Sequence, residues 1–393
     1  MIVGAAEAAH FPLYRDSIGG ETMRIAAFNV ENLFMRAKAL NQDTWAEGKP
    51  VLEAHARLNK LFEEKKYTAA IKKKILEEMK FLGILRSDES EFVILRRTRG
   101  SLVKRPKGGK PVEVVAEGRD DWIGWLELKD ETVNEIAIRN TARVIADVKA
   151  DMLAVVEAED RVALCRFNDD LLKPEGFLYQ SIMLIDGNDG RGIDVGLMTR
   201  KNFVIDLMRS HVEDADSKGV IFSRDCPEYF VTTPSGETIL LLINHLKSKG
   251  FGSQADSNGK RKRQAKQIRK IYDARRAEGL KNIIVLGDFN DTPESAPLAP
   301  LLKEGSDLKD ASEFAGFDDG GRPGTYANGT ASQKIDFLLL SPNLFSKVTA
   351  AGLFRKGVWG GSTGDKWWPI YDTMTGPHHA ASDHAAIWAD INI

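Results

Sequence analysis

Ile283-Ile284-Val285-Leu286-Gly287-Asp288-Phe289-Asn290 is an apolar run stopped by a tetrapeptide carrying two polar side chains. A run of this length reads as a buried strand, and Gly, Asp and Asn read as the turn that ends it. A carboxylate at the end of a buried strand lies at the rim of a sheet. The pattern recurs along the chain. Ile25-Ala26-Ala27-Phe28 leads to Asn29 and Glu31, Met152 to Val156 leads to Glu157, and Ile239 to Ile243 leads to Asn244 and His245. Arg191-Gly192-Ile193-Asp194, leading into Val195 to Met198, is grouped with these. Two stretches put the polar group first: Asp336 ahead of Phe337 to Leu340, and Ser382-Asp383-His384 ahead of Ala385 to Ile391. If the first group runs one way and the last two run antiparallel, the polar ends meet at one rim. That collects Asn29, Glu157, His245, Asp288, Asn290, Asp336, Asp383 and His384. An oxygen-rich set with two histidines suits Mg²⁺ or Mn²⁺ rather than zinc.

The composition sets the frame for this site. The 393 residues are 42% hydrophobic and 28% charged, enough apolar material for a large core. A net charge of −2 supplies no global attraction to a polyanion, so any steering must come from local patches. Two cysteines, Cys165 and Cys226, offer neither a disulfide framework nor a thiolate metal site. No stretch has the length and apolarity of a membrane span, and residues 1–22 lack the basic start and apolar core of a signal peptide. The reading is a protein of the cytoplasm with no membrane insertion, a dispensable extension over 1–22 and the domain proper over 23–393.

Between Asn29 and Glu157 the chain is too long for a plain loop. Leu58, Leu61, Phe62, Ala69, Ile75, Leu76, Met79 and Leu82 recur at helical intervals from about residue 50 to 82. Phe92 to Leu95, Leu102-Val103 and Val112 to Val115 read as short strands, with Lys107-Gly108-Gly109-Lys110 as a turn between the latter two. The insertion, residues 36–130, is therefore expected to be a helix-plus-hairpin subdomain. Thr132 to Lys149 follows as an amphipathic helix against the sheet. Two basic clusters stand out. One runs from Arg96 to Lys110 with no acid. The other runs from Lys260 to Arg276 with Asp273 alone. Each reads either as a solvated face or as a phosphate track. Trp359, Trp367 and Trp368, in a Gly-rich loop, read either as base-stacking groups or as packing that holds the loop.

The order of these motifs resembles the endonuclease/exonuclease/phosphatase superfamily. Phe28-Asn29-Val30-Glu31-Asn32-Leu33 is similar to its opening strand, Leu153 to Glu157 to the strand ending in a metal-binding Glu, and Gly287-Asp288-Phe289-Asn290 to its Gly-Asp-Phe-Asn signature. Lys334-Ile335-Asp336-Phe337 resembles its Ile-Asp-Tyr stretch, and Ser382-Asp383-His384 its closing Ser-Asp-His. The likeness covers about residues 23–35 and 130–393. Asn244-His245-Leu246-Lys247-Ser248-Lys249-Gly250 with Asn258, Arg261 and Gln264-Ala265 looks most like a bacterial nuclease branch. The Trp-x-Gly-Asp-x-Asn and Pro-x-Trp-x-Asp-Arg patterns of inositol phosphatases are not found.

The resemblance implies two mixed β-sheets packed face to face and flanked by helices, a four-layer α/β sandwich. It implies a Mg²⁺-dependent phosphodiesterase, here read as a nuclease on DNA or RNA. A phosphatase acting on a small or lipid phosphoester, and a catalytically silent nucleic-acid-binding module, stay open as alternatives. Glu157, Asn29 and Asp383 would hold the metal. Asp288 and Asn290 would position the attacking water or a second ion. Asp336 would orient His384, Asp194 would orient His245, and His245 would meet the phosphate as acid or charge stabiliser. Lys247 and Arg261 are the expected substrate-binding cations.

Overall fold

The computed structural model describes residues 22–31, 33–39, 45–189, 192–249, 253–303 and 305–393. The extension over 1–22 lies outside these residues except for Thr22, which already belongs to the first strand. In chain order the first part comprises β1 (Thr22–Asn29), β2 (Met35–Ala37), α1 (Trp45–Phe62), α2 (Ala69–Phe81), β3 (Val93–Arg99), β4 (Val103–Lys104), β5 (Glu113–Val114), β6 (Ile123–Leu128), β7 (Asp130–Thr132) and α3 (Glu135–Val148). Then come β8 (Met152–Ala158), α4 (Arg161–Phe167), β9 (Ser181–Ile185), β10 (Asp194–Thr199), β11 (Val204–Arg209), and the two-stranded β12 (Ala215–Asp216) and β13 (Gly219–Val220). The last part holds β14 (Glu228–Thr232), β15 (Thr238–His245), α5 (Gln254–Ala277), β16 (Ile283–Asp288), β17 (Lys309–Asp310), β18 (Phe317–Asp318), β19 (Asp336–Leu340), β20 (Val348–Phe354) and β21 (Ala386–Asn392).

Two sheets form the body. One has seven strands in the order β18-β20-β21-β1-β8-β10-β9, the other six in the order β11-β14-β15-β16-β19-β17. Both are mixed: β1 runs parallel to β8 and β15 to β16, while β21, β10 and β19 run antiparallel to their neighbours. The central strands read as unbroken apolar runs because both of their faces are covered. In β15, Ile239, Leu241 and Ile243 enter the core between the sheets, while Leu240 and Leu242 join a second core beneath α5 with Ile268, Ile271 and Tyr272. In β8, Met152, Ala154 and Val156 face the other sheet, while Leu153 and Val155 pack under α3 and α4 beside Val144, Ile145, Leu164 and Phe167. Helices, sheet, sheet and helix therefore stack as the four layers expected.

Asp194 departs from its grouping. It opens β10, which runs antiparallel to β8 with Asp194 opposite Ala158, so it reaches the rim from the start of a strand rather than from its end.

The stretch between β1 and α3 buries a core of its own. Leu58 and Phe62 of α1, Ile75 and Met79 of α2, and Val93, Leu102, Val114, Trp122 and Leu126 form one cluster. The expected helical span divides into α1 and α2, and Thr68 caps the second by accepting from Ile71 N. β4 and β5 pair as the expected hairpin. β6 was not anticipated, because Ile123-Gly124-Trp125-Leu126 carries no strong signal. It pairs with β3 and draws that strand on to Arg99, beyond the apolar residues. β2 and β7 make an antiparallel neck at the base of this arm. Glu159 fastens the neck to the body, accepting from Phe34 N at 2.6 Å and Met35 N at 2.8 Å.

Candidate active site

Strand parity aims most of the rim. Side chains two apart share a face. Asn29 follows Ala27, His245 follows Ile243, Asp288 follows Leu286, and Asp336 precedes Leu338, all members of the core between the sheets. These four polar groups therefore continue that inner face at its open end. Register brings them level: His245 pairs with Asp288, and Asp288 with Asp336. Glu157 is out of phase with Val156. Its backbone turns left-handed, at φ 67°, and breaks the alternation. Its carboxylate comes within 3.6 Å of His245 Nε2.

The turn after β16 has its own logic. Gly287 sits at φ 122°, and a Cβ there would lie 2.1 Å from Asn244 O, so neither the conformation nor the space admits a side chain. Asp288 Oδ1 accepts from Asn290 N at 2.8 Å, and Asn290, at φ 54°, returns its Nδ2 to Asp288 Oδ2 at 3.1 Å. Asn29 Nδ2 donates to the same oxygen at 3.3 Å. His245 Nε2 stands 3.6 Å from it and His384 Nε2 4.0 Å. Asp288 thus lies between both histidines, 2% exposed. Burial, and then the charge of Asp336, raise its pKa.

His384 Nδ1 is bonded to Asp336 Oδ2 at 2.8 Å. Asp336 in turn accepts from the Thr325 hydroxyl at 2.6 Å. Burial opposes a charge on His384, but Asp336, with Asp383 and Asp288, outweighs it and raises its pKa well above the ordinary value. The imidazole turns Nε2 toward Asp288 and Asp383, the latter at 3.8 Å. Ser382 ties this segment to β1: its hydroxyl donates to Asn29 O at 2.7 Å and accepts from His384 N at 2.9 Å. Glu31 adds a second tie, accepting from Asp383 N at 3.1 Å.

The structure thus brings Asn29, Glu157, His245, Asp288, Asn290, Asp336, Asp383 and His384 to one place. Asp194 has a different immediate partner from the one expected: it accepts from Gly187 N at 2.8 Å. Burial, aided by Asp186 and Asp189, raises its pKa to about 6 against the opposing bond from Gly187. Arg261 is corrected as a substrate contact, because it is fully buried. Its guanidinium binds Asp291 at 3.0 Å, Lys247 O and Asn258 Oδ1, so it braces the loop after β15. Lys247 lies on that braced loop and its N–H donates to Gln264 Oε1.

Two residues absent from the sequence reading belong here. Thr325 supports Asp336. Tyr326 places its ring 5.0 Å from that of His384 and its hydroxyl on Asp383. No periodic signal marks them; a hydroxyl and an aromatic residue after Gly324 are all the sequence offers.

The site suits a divalent cation. Glu157 and Asp288 pair with histidine, and among the described residues with no Lys or Arg. Carboxylates gathered beside histidines, with no Lys or Arg paired to Glu157 or Asp288 among the described residues, gain from an added cation, and amide and carboxylate oxygens suit a hard one. Ligand atoms of Asp288, Asp336 and His384 lie within 4.8 Å of one another. Asp336 and His384 are engaged with each other, however, which leaves Asn29, Glu157 and Asp383 as the less committed oxygen donors.

The basic clusters are partly consumed by the fold. In α5, Arg263 pairs with Asp216, Arg269 with Asp273, Arg275 with Glu228 and Arg276 with Asp307, while Lys262, Lys266 and Lys270 stay exposed. In the arm, Arg96 pairs with Glu127, and Arg105 binds Asp88 and the carbonyls of Ile84, Leu85 and Ser87. The loop tryptophans serve packing first. Trp368 donates to Val358 O at 2.8 Å, and Trp359 packs on the outer core. Trp367 remains 37% exposed beneath the Arg322 guanidinium at 3.7 Å. Among the described residues no helix is long and apolar enough to cross a membrane.

Residues 113–350 match the family model described as Endonuclease/Exonuclease/phosphatase family. Among solved structures the chain is similar to truncated TDP2 of Caenorhabditis elegans, at 21% identity over 66% of this chain and 91% of that one, with a TM-score of 0.46. It is also similar to a mannosyl-6-phosphatase of Bacteroides thetaiotaomicron, at 17% identity over 65% and 90% with a TM-score of 0.46. A third is the human Nocturnin catalytic domain, at 17% identity over 66% and 87% with a TM-score of 0.45. No curated protein matches the chain.

Proposed function

We propose, from the premise that this chain belongs to the endonuclease/exonuclease/phosphatase family, that it is a Mg²⁺-dependent phosphodiesterase cleaving DNA or RNA. Members of the family hydrolyse phosphoesters and commonly use divalent metals. The observation that carries the reading is the placement of Asp288 between His245 and His384, with Asp336 behind His384.

Glu157, Asn29 and Asp383 would hold the cation, which when bound neutralises phosphate charge. Asp288, with its raised pKa, is matched to accept a proton from water near neutral pH. Asn290 and Asn29 fix its orientation. Water attacks phosphorus and its proton passes to Asp288, while the opposite P–O bond breaks. His384, locked by Asp336, offers Nε2–H to a phosphate oxygen. His245 protonates the departing oxygen from the other side. The bonds among these groups keep reorganisation during the reaction small.

The test is a panel of labelled single- and double-stranded DNA, RNA, an inositol phosphate and mannose 6-phosphate, incubated with Mg²⁺. Chain cleavage of a polynucleotide at rates far above release of phosphate from the small esters is expected. Turnover confined to the small esters would overturn the reading in favour of a phosphatase. Binding of polynucleotide without turnover of any ester would leave a silent binding module.

A further inference from the structure

The arm displays a surface that the catalytic rim does not explain. β3 and β6 form a two-stranded ribbon in which Ile94 faces Glu127, Arg96 faces Trp125 and Arg99 faces Ile123. Residues directly opposite share a face, as do residues two apart along a strand. Ile94, Arg96, Ile123, Trp125 and Glu127 therefore line one side. Val93, Leu95, Leu126 and Leu128 line the other and join the core of the arm. Trp125 is 46% exposed. Glu127, on the same face, takes both prongs of the Arg96 guanidinium, at 3.0 and 2.8 Å. The carboxylate thus holds the Arg96 guanidinium on the face that carries the exposed Trp125 ring.

Free positive charge lies close by in the chain. Arg97, Lys104, Lys107 and Lys110 are exposed, and among the described residues none has a carboxylate within ion-pair distance. Arg99 is exposed too and donates to Asp120 O alone. An exposed indole with Arg96 opposite it and Arg99 on the same face is complementary to a strand with free bases, which stack on the ring while phosphates meet the guanidinium groups. Duplex bases are already stacked on one another and gain little from it. The root of the arm is bonded to Glu159, two residues beyond Glu157, so the ribbon is tethered to the strand that carries the site.

We propose that the outer face of the β3/β6 ribbon is a binding platform for single-stranded nucleic acid, with Trp125 stacking on an unpaired base and Arg96 and Arg99, on the same face, meeting the phosphates around it. The proposal rests on the nuclease reading, because it names the form of substrate that would be held.

The test measures anisotropy of fluorescein-labelled 15-nucleotide single strands and of the matching duplex with the full chain in EDTA, where no cleavage occurs. Trp125→Ala is expected to weaken single-strand binding roughly tenfold and duplex binding much less, while Trp125→Phe keeps most of the affinity because it keeps a ring. Arg99→Ala is expected to flatten the dependence of log Kd on log salt by roughly 0.7. Thermal unfolding of each variant checks that the arm core is intact. Wild-type affinity in Trp125→Ala overturns the proposal, and so does absence of single-strand binding by the wild type. Cleavage assays with Mg²⁺ separate the two readings. A wild type that cleaves polynucleotide, paired with an unaltered KM in Trp125→Ala, sinks the platform alone. Trp125-dependent binding without cleavage of any polynucleotide sinks the nuclease reading alone.

Discussion

At the rim, Asp288 is buried and its two oxygens are engaged by Asn29, Asn290 and the backbone of the turn, with a histidine on either side. On the arm, Trp125 and its cationic neighbours face solvent on a ribbon with a separate core. Both are polar surfaces on strands, yet they are built to opposite rules. The rim uses strand parity, register and left-handed backbone at Glu157 and Asn290 to hold reactive groups within about a hydrogen bond of one another. The arm keeps an aromatic ring out of its core by placing Trp125 on the outer face of a two-stranded ribbon. The first arrangement suits a chemical step, in which small displacements matter. The second suits selection, in which contact area and charge matter. The two should therefore fail in different ways when altered.

The largest effects belong to the rim. Asp288→Asn and His384→Ala are each expected to lower kcat on the order of a hundredfold or more on every phosphoester, large or small. Asp336→Asn should act through His384, so that the double variant is little worse than His384→Ala; multiplicative losses would show that the pair does not work as a unit. Next, Glu157→Gln keeps the shape and removes a charge, so half-maximal activity should need at least roughly tenfold more Mg²⁺. An unchanged metal titration would remove Glu157 from the cation site and leave Asp288 as the better donor.

Behind the rim, the sheet is itself held by a buried charge. Glu228 is fully buried on β14 and bonded to Arg275 and His211, with Arg209 at 3.5 Å. Burial alone would raise its pKa, but these partners lower it to about 2. A depressed carboxylate stabilises the fold above its unfolded value of 4.5 and loses that contribution as pH falls toward about 2. His211 has the opposite sign: with its pKa raised above 6.5, it stabilises below that value and loses the contribution as pH rises through the folded one. Glu228→Gln should therefore remove roughly 2 kcal/mol of stability at pH 7 and flatten the acid limb of thermal unfolding between about pH 4.5 and 2. An acid limb as steep as that of the wild type would mean that other carboxylates set it.

Smaller effects should separate arm from rim. With Arg97, Lys104 and Lys107 replaced by Ala, the ratio of kcat/KM for a polynucleotide to that for a small chromogenic diester should fall about tenfold, through KM. A fall in both substrates together would make the cluster a support for the fold. Smallest of all, Ala at Lys262, Lys266 and Lys270 of α5 should change that ratio by less than about threefold, since among the described residues no exposed aromatic accompanies that stripe. A larger loss there than in the arm would reverse the comparison and make α5 the polyanion track.

Much of the body was legible because burial on both faces of a strand forces an unbroken apolar run, and the first polar residue after it must lie at an end. Ile283 to Asp288, Thr238 to His245 and Met152 to Glu157 all obey this. The mixed α/β class follows from the same runs, whereas the four layers were implied by the family resemblance. β6 was not legible, because a ribbon buried on one face and solvated on the other can carry Gly124 and Trp125 without a run. Asp194 and Arg261 show the limit for single residues. Each lies in the right region by sequence, but its partner is set by the fold: Gly187 for one, Asp291 and Lys247 O for the other.

The sequence by itself determined which residues end the buried strands, which face of each strand they share, and that oxygen ligands and two histidines dominate the ends. These are local properties, set by the period of a strand and by the cost of burying a polar group. The family resemblance already assigned Asp336 to His384; only the tertiary structure decided that Thr325 and Tyr326 stand behind Asp336 and His384, and which arginines are already paired. Those choices join residues far apart in the chain. Ser382 and Asn29 meet because β21 lies beside β1, and Glu159 meets Phe34 because the arm returns beside β8. Strand order in a sheet is chosen by packing of the whole core, so the neighbours it creates leave no mark on the residues themselves.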